Sequence, residues 1–109
     1  MASQQEFVQY LTDQMQNAGC ITYRKMFGEY GLYCNGKIFA LVCDDQLFIK
    51  ITDAGHRLRP ELAKMPPYAG AKDYFLIEDI DDSETLVALV TATCEELSEQ
   101  KPRKRKRTT

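Results

Sequence analysis

Two two-residue turns, Asn35-Gly36 and Asp44-Asp45, leave this chain few architectures to choose from. A tight hairpin of type I′ needs positive φ at both central residues, and Asn-Gly accepts that at little cost. Asp-Asp is a weaker form of the same signal. The turns separate EYGLYC, KIFALVC and QLFIKI, runs rich in aromatic and β-branched residues and too short for helices. The spacing therefore predicts an antiparallel three-strand meander over about residues 29–51. If both loops are two residues long, the register follows. Tyr33, Ile38 and Ile51 then share one face with Gly31, Ala40, Ile49, Val42 and Leu47. Leu32, Phe39 and Lys50, followed by Tyr30, Leu41 and Phe48, make up the other. Both faces are apolar at their centres, whereas a free antiparallel sheet normally wets one of them. Two covers for the second face are open: the chain's own helices, available on both sides in sequence, or a partner.

The flanks supply those helices. Ser3 followed by Glu6 has capping-box spacing. Phe7, Leu11 and Met15, flanked by Val8 and Ala18, form a stripe that predicts a helix over residues 4–18, with Gly19 at its end. CITYRKMF, residues 20–27, reads as a first irregular strand. Thr52-Asp53 caps a short helix, and Pro60 opens a second turn, ELAKM, which Pro66-Pro67 stops. Tyr68 to Lys72 reads as a loop and DYFLI as a last strand. Ser83 then caps a long helix to about Glu99, with Leu86, Val87, Val90, Cys94 and Leu97 inward. The expected class is α+β: an antiparallel meander sheet packed with N- and C-terminal helices, in the order α-β-β-β-β-α-β-α.

Charge divides the 109 residues unevenly. Six of the 14 basic residues lie between Lys101 and Arg107, so residues 1–100 carry eight cations against all 16 acids, a net −8. The expected division is one folded domain, residues 1–100, and a disordered basic tail, residues 101–109. No apolar run reaches the roughly 20 residues of a membrane span. With no secretory pattern at the start, a cytoplasmic protein is expected. The four cysteines lack C-x-x-C spacing and a histidine cluster, so they read as free, mostly buried thiols.

The sequence offers no recognisable catalytic set. His56 is the sole histidine, and no nucleophile elbow, phosphate loop or dinucleotide fingerprint occurs. The chain reads as no enzyme, with no cofactor and no metal. Five of the seven residues from Glu78 to Glu84 are acidic, which the first turn of a helix already explains. Two segments remain as candidate contact surfaces. Arg24, Lys25, Phe27, Tyr30, Leu32 and Tyr33, with Phe39 and Phe48 from the sheet's second apolar face, form a candidate protein-binding surface. Lys101, Arg103, Lys104, Arg105, Lys106 and Arg107 form a candidate nucleic-acid contact: up to about six phosphates, with a steep salt dependence and no sequence preference.

Arg24-Lys25-Met26-Phe27-Gly28-Glu29-Tyr30-Gly31-Leu32-Tyr33, the hairpin and the Asp-Asp turn resemble the N-terminal domain of TfoX (Sxy), the bacterial regulator of natural competence. The opening FVQYLTDQM helix, the PPY loop and DYFLIEDI echo it more weakly, so the resemblance spans residues 5–99. Members usually have a second glycine where Glu29 stands, and full-length regulators carry a further C-terminal domain. The resemblance implies an α+β fold and a cytoplasmic adaptor or coactivator that works through protein contacts in transcriptional regulation. It brings no catalytic residues. Arg24, Met26, Phe27, Gly28, Tyr30, Gly31 and Tyr33 become positions for fold maintenance or binding. Three readings follow: a protein-binding adaptor, including a homodimer through the second face; a nucleic-acid binder using the tail; and a small-ligand binder beside Tyr30–Tyr33.

Overall fold

A computed structural model describes residues 5–26 and 29–103, with side chains through residue 97. Ser3, Phe27, Gly28 and the side chains of the basic tail lie outside the described residues. Helix α1 (Gln5–Gln14) leads through a 3-10 turn (Gln16–Ala18) into strands β1 (Ile21–Met26), β2 (Glu29–Cys34), β3 (Lys37–Cys43) and β4 (Gln46–Ile49). Helix α2 (Asp53–Leu58), strands β5 (Lys64–Met65) and β6 (Tyr74–Ile77), and helix α3 (Ser83–Arg103) complete the chain. The strands form one six-stranded sheet in the order β1-β2-β3-β4-β6-β5, and every pairing is antiparallel. The fold is α+β, as the sequence predicts. No described helix is long and apolar enough to cross a membrane.

Both turns form as expected. Asn35 and Gly36 have φ of 53° and 87°, and Asp44 and Asp45 have φ of 55° and 56°. Two adjacent aspartates in the left-handed region are unusual, because each carries a Cβ penalty of about 1 kcal/mol. The Asp44 N–H donates to Glu29 Oε2 at 3.1 Å, which ties this turn to the start of β2.

The β3–β4 register is the expected one, with Ala40 opposite Ile49 and Val42 opposite Leu47. The β2–β3 register is not. Tyr33 faces Ile38, but Leu32 faces Ala40 and Gly31 faces Leu41, because Phe39 is an extra residue in a β-bulge. Tyr30, Leu32 and Phe39 were expected on the second face and instead lie on the first. One cross-strand row therefore runs Tyr23, Leu32, Ala40, Ile49 and Phe75, and the next, on the opposite face, runs Arg24, Gly31, Leu41, Phe48 and Leu76.

All three helices stand on the first face. Val8, Leu11 and Met15 of the N-terminal segment and Leu86, Leu89 and Val90 of α3 join Leu32, Phe39, Ala40, Val42, Leu47, Ile49 and Phe75 in one core. Of the two covers open for the second face, the chain's own helices are therefore not the one found among the described residues. Leu89 and Thr93, fully buried, belong to the inner face of α3 although the sequence reading omitted them. Thr93 satisfies its hydroxyl by donating to the Leu89 carbonyl one turn back, at 2.8 Å.

Helix ends show two further departures. Asp82, not Ser83, caps α3: its carboxylate accepts the Thr85 N–H at 3.2 Å and the Thr85 hydroxyl at 2.8 Å. Those bonds hold the Asp82 carboxyl below the usual range. Ser83 donates instead to the Gln14 carbonyl, pinning α3 to the end of α1. The expected helical turn in ELAKM is absent, since Lys64 and Met65 pair with Phe75 and Tyr74 at the sheet edge.

Thr52 does cap α2, its hydroxyl accepting the Gly55 N–H at 3.0 Å, and the Glu96 carboxylate takes the Asp53 and Ala54 N–H groups. Gly55 is where α2 meets the core. A Cβ there would lie 3.0 Å from Thr52 Oγ1, 3.1 Å from Phe75 Cε2 and 3.2 Å from Leu89 Cδ1. Alanine favours an exposed helix by about 1 kcal/mol over glycine. Here Phe75 and Leu89 are fully buried and cannot yield. Gly55→Ala should therefore destabilise the protein by about 1 kcal/mol, because overpacking outweighs propensity. A lowered urea midpoint would show it, and a raised one would contradict it.

Candidate functional site

The second sheet face carries the most informative surface. Gly31 sits at its centre because a side chain is already there: a Cβ would lie 2.9 Å from Met26 Cε and 3.1 Å from Ile38 Cδ1. Met26 from the edge strand is thus folded inward over β2, beside Leu41. Met26, Tyr33, Ile38 and Leu41 are all half-buried, an apolar band that no described helix covers. Phe48 and Cys43 on the same face are shielded more completely, at 2% and 7% exposed.

The segment after Pro66-Pro67 approaches this face near Cys43. Pro67 and Tyr68 face Met26, Glu29, Tyr30, Leu41, Cys43 and Asp44 across a cleft of about 560 Å³. The floor is apolar, and two carboxylates, Glu29 and Asp44, sit at one end. Burial, then Glu29 and Asp44, push the Cys43 thiol above its ordinary range. On the other side of Tyr68 lies a second groove of about 570 Å³, lined by Lys50, Ile51, Tyr68, Ala71, Lys72, Asp73 and Tyr74. The face is therefore polarised, with acids at the Asp44-Asp45 turn and lysines at the far end. Tyr68, 60% exposed, stands between them.

The candidates from the sequence scatter over this frame. Arg24 is exposed on the second face at the edge strand, while Lys25 points to the helix side. Tyr33 is half-buried on the second face. Phe48 is also there, but only 2% exposed. Leu32 and Phe39 are fully buried in the helix-side core, and neither is presented to a partner. Tyr30, 6% exposed, stacks edge-to-face with Tyr23 at 5.8 Å and also lines the acidic cleft. Phe27 and the basic tail side chains lie outside the described residues. Sequence reasoning missed Tyr68 and Pro67, although two consecutive prolines before an aromatic residue signal a stiff segment able to carry that ring over a sheet.

The acidic run Glu78–Glu84 is largely occupied within the fold. Asp79 pairs with Arg59 at 3.0 Å, Asp81 accepts the Tyr10 hydroxyl, and Asp82 caps α3. Among the described residues, no group of His, Cys, Asp and Glu could hold a metal ion. Cys20, Cys34, Cys43 and Cys94 are free thiols.

The sequence matches the family described as the TfoX N-terminal domain over residues 13–97. It is also 34% identical over 109 residues to an "Uncharacterized 12.7 kDa protein in trpE 5'region" of Spirochaeta aurantia, a match that covers 97% of this chain and 93% of the relative. That relative thus has nearly the same length. The matched residues include the meander and the Pro67-Tyr68 segment, which border the uncovered face, and most of α3, which packs on the opposite one. This chain belongs to the TfoX N-terminal domain family.

Proposed function

We infer that this protein is a non-enzymatic regulatory adaptor of the bacterial cytoplasm, which docks a protein partner on the second face of its sheet and acts in transcriptional regulation. The observation that carries the reading is the half-buried apolar band of Met26, Tyr33, Ile38 and Leu41, left bare while every described helix packs on the opposite face. Contiguous apolar surface of this kind marks interaction sites. The raised Cys43 and Cys94 thiols, both driven up first by burial, support a non-catalytic role. Family membership supports the regulatory setting.

A second copy of the chain is one partner with matching chemistry. A twofold axis through the face would set the apolar band of one protomer against that of the other. Immobilised full-length chain should retain a protein from cell extract that the Leu41→Glu chain loses and the Asp13→Lys chain, altered on exposed α1, keeps. Sedimentation of the same variants reports whether that protein is a second copy. Retention by Leu41→Glu with loss by Asp13→Lys would refute the docking face. Tail-dependent binding to nucleic acid remains a separate reading, supported by the six cations of residues 101–107. For double-stranded nucleic acid it requires affinity to vanish when residues 101–109 are removed, since the rest of the chain carries a net −8.

A further inference from the structure

The groove on the far side of Tyr68 has a chemistry that neither the fold nor the docking face explains. Lys50 and Lys72 line it, and Lys37 lies close enough to act on Lys50. Acids outnumber bases two to one in residues 1–100, so neighbouring lysines would ordinarily find carboxylates. These three do not: none forms an ion pair with a described residue. Lys50 is moreover half-buried, an unfavourable place for an unpaired ammonium. Burial first, and then the charges of Lys37 and Lys72, lower its pKa from the ordinary lysine value. Cations gathered against their own repulsion in a recess are arranged for an anion.

The rest of the lining narrows the anion's class. Tyr68 exposes most of its ring, and Tyr74, half-buried, presents a second phenol. Aromatic rings beside lysines are the components of base stacking with phosphate contact. Ile51 and Ala71 supply an apolar floor. Asp73, the one carboxylate of the groove, is an acceptor for a ring amino group or a sugar hydroxyl, and it disfavours a densely charged polyanion. At about 570 Å³ the recess has the size of small-molecule sites, which run to about 300–1,000 Å³.

We propose that the groove formed by Lys50, Tyr68, Lys72 and Tyr74 binds a nucleotide, its phosphate held by the lysines and its base stacked on the tyrosines. The ligand is either free or the unit of a single strand. The site lies across Tyr68 from the acidic cleft and does not depend on the docking face, so each reading can fail without the other.

The test uses the full chain, titrated with AMP, with inorganic phosphate and with a uridine tetranucleotide while backbone amide resonances are followed. AMP should saturate, with the largest shifts at Lys50 and residues 68–74. Phosphate alone should bind about tenfold more weakly, a loss of about 1.4 kcal/mol from the missing base. Lys50→Gln and Tyr68→Ala should each weaken AMP about tenfold or more while leaving the thermal midpoint near that of the wild type. Lys72→Gln, at a more exposed position, gives an independent reading should either variant fold poorly. Tighter binding of the tetranucleotide with the same shift pattern assigns the ligand to a strand, and equal or weaker binding assigns it to the free nucleotide. Absence of shifts at these residues at millimolar AMP and tetranucleotide would overturn the proposal. So would binding that survives all three substitutions and is lost on removing residues 101–109.

Discussion

Phe39→Ala is expected to cost about 3–5 kcal/mol of stability, measured by urea denaturation. Phe39 is fully buried, and the bulge places it on the helix side of the sheet, in the same core as Leu32, Ala40 and α3. Removing the ring leaves a void between β3 and helices already fixed by Ser83, Asp82 and Glu96, so the site has little freedom to collapse. Without the bulge, Phe39 would stand beside Leu41 on the half-covered second face, where the same truncation costs far less. A loss below about 1 kcal/mol would therefore contradict the observed register.

The second large effect separates two residues that are direct cross-strand neighbours on one face. Phe48 is 2% exposed within a single protomer. Phe48→Glu would bury an unpaired carboxylate there, and should cost more than about 3 kcal/mol or prevent folding. Leu41 lies opposite it on β3 but is only half-buried. Leu41→Glu leaves its carboxylate a path to water, and should change stability by about 1 kcal/mol or less while abolishing partner capture. If Phe48→Glu instead yields a stable monomer and merely dissociates an oligomer, Phe48 is covered by another molecule and not within its own protomer.

These two residues also show what the sequence discloses. Turn chemistry is local, so Asn35-Gly36 and Asp44-Asp45 fixed the meander and, through it, the β3–β4 register. Leu41 and Phe48 were accordingly legible as neighbours on the second face. The bulge was not. A period of two presumes that both strands are counted without interruption, and nothing in KIFALVC marks Phe39 as the extra residue. That single insertion reversed the facing of Tyr30 and Leu32 relative to β3, and moved Phe39 into the core.

Tertiary context overrode local propensity elsewhere. ELAKM favours a helix by composition, yet Lys64 and Met65 pair with β6, and the Leu76 N–H donates to the Ala63 carbonyl at 2.9 Å. Ser83 was a reasonable cap, but Asp82, one residue earlier, accepts the Thr85 N–H and hydroxyl, while the Ser83 hydroxyl is drawn off to the Gln14 carbonyl. The clefts were illegible for a different reason. They depend on Tyr68 meeting Met26, Glu29 and Asp44 on one side and Lys50 and Tyr74 on the other, separations in sequence that no local pattern encodes.

The central claim is that the bare sheet face, and not the helical layer, receives the protein partner. Photo-crosslinking in living cells tests it most directly, with a photoreactive phenylalanine analogue placed singly at residue 41 on the sheet face or at residue 13 on exposed α1. The account predicts a specific protein adduct from position 41 and none from position 13. An adduct from position 13 with none from position 41 would contradict it.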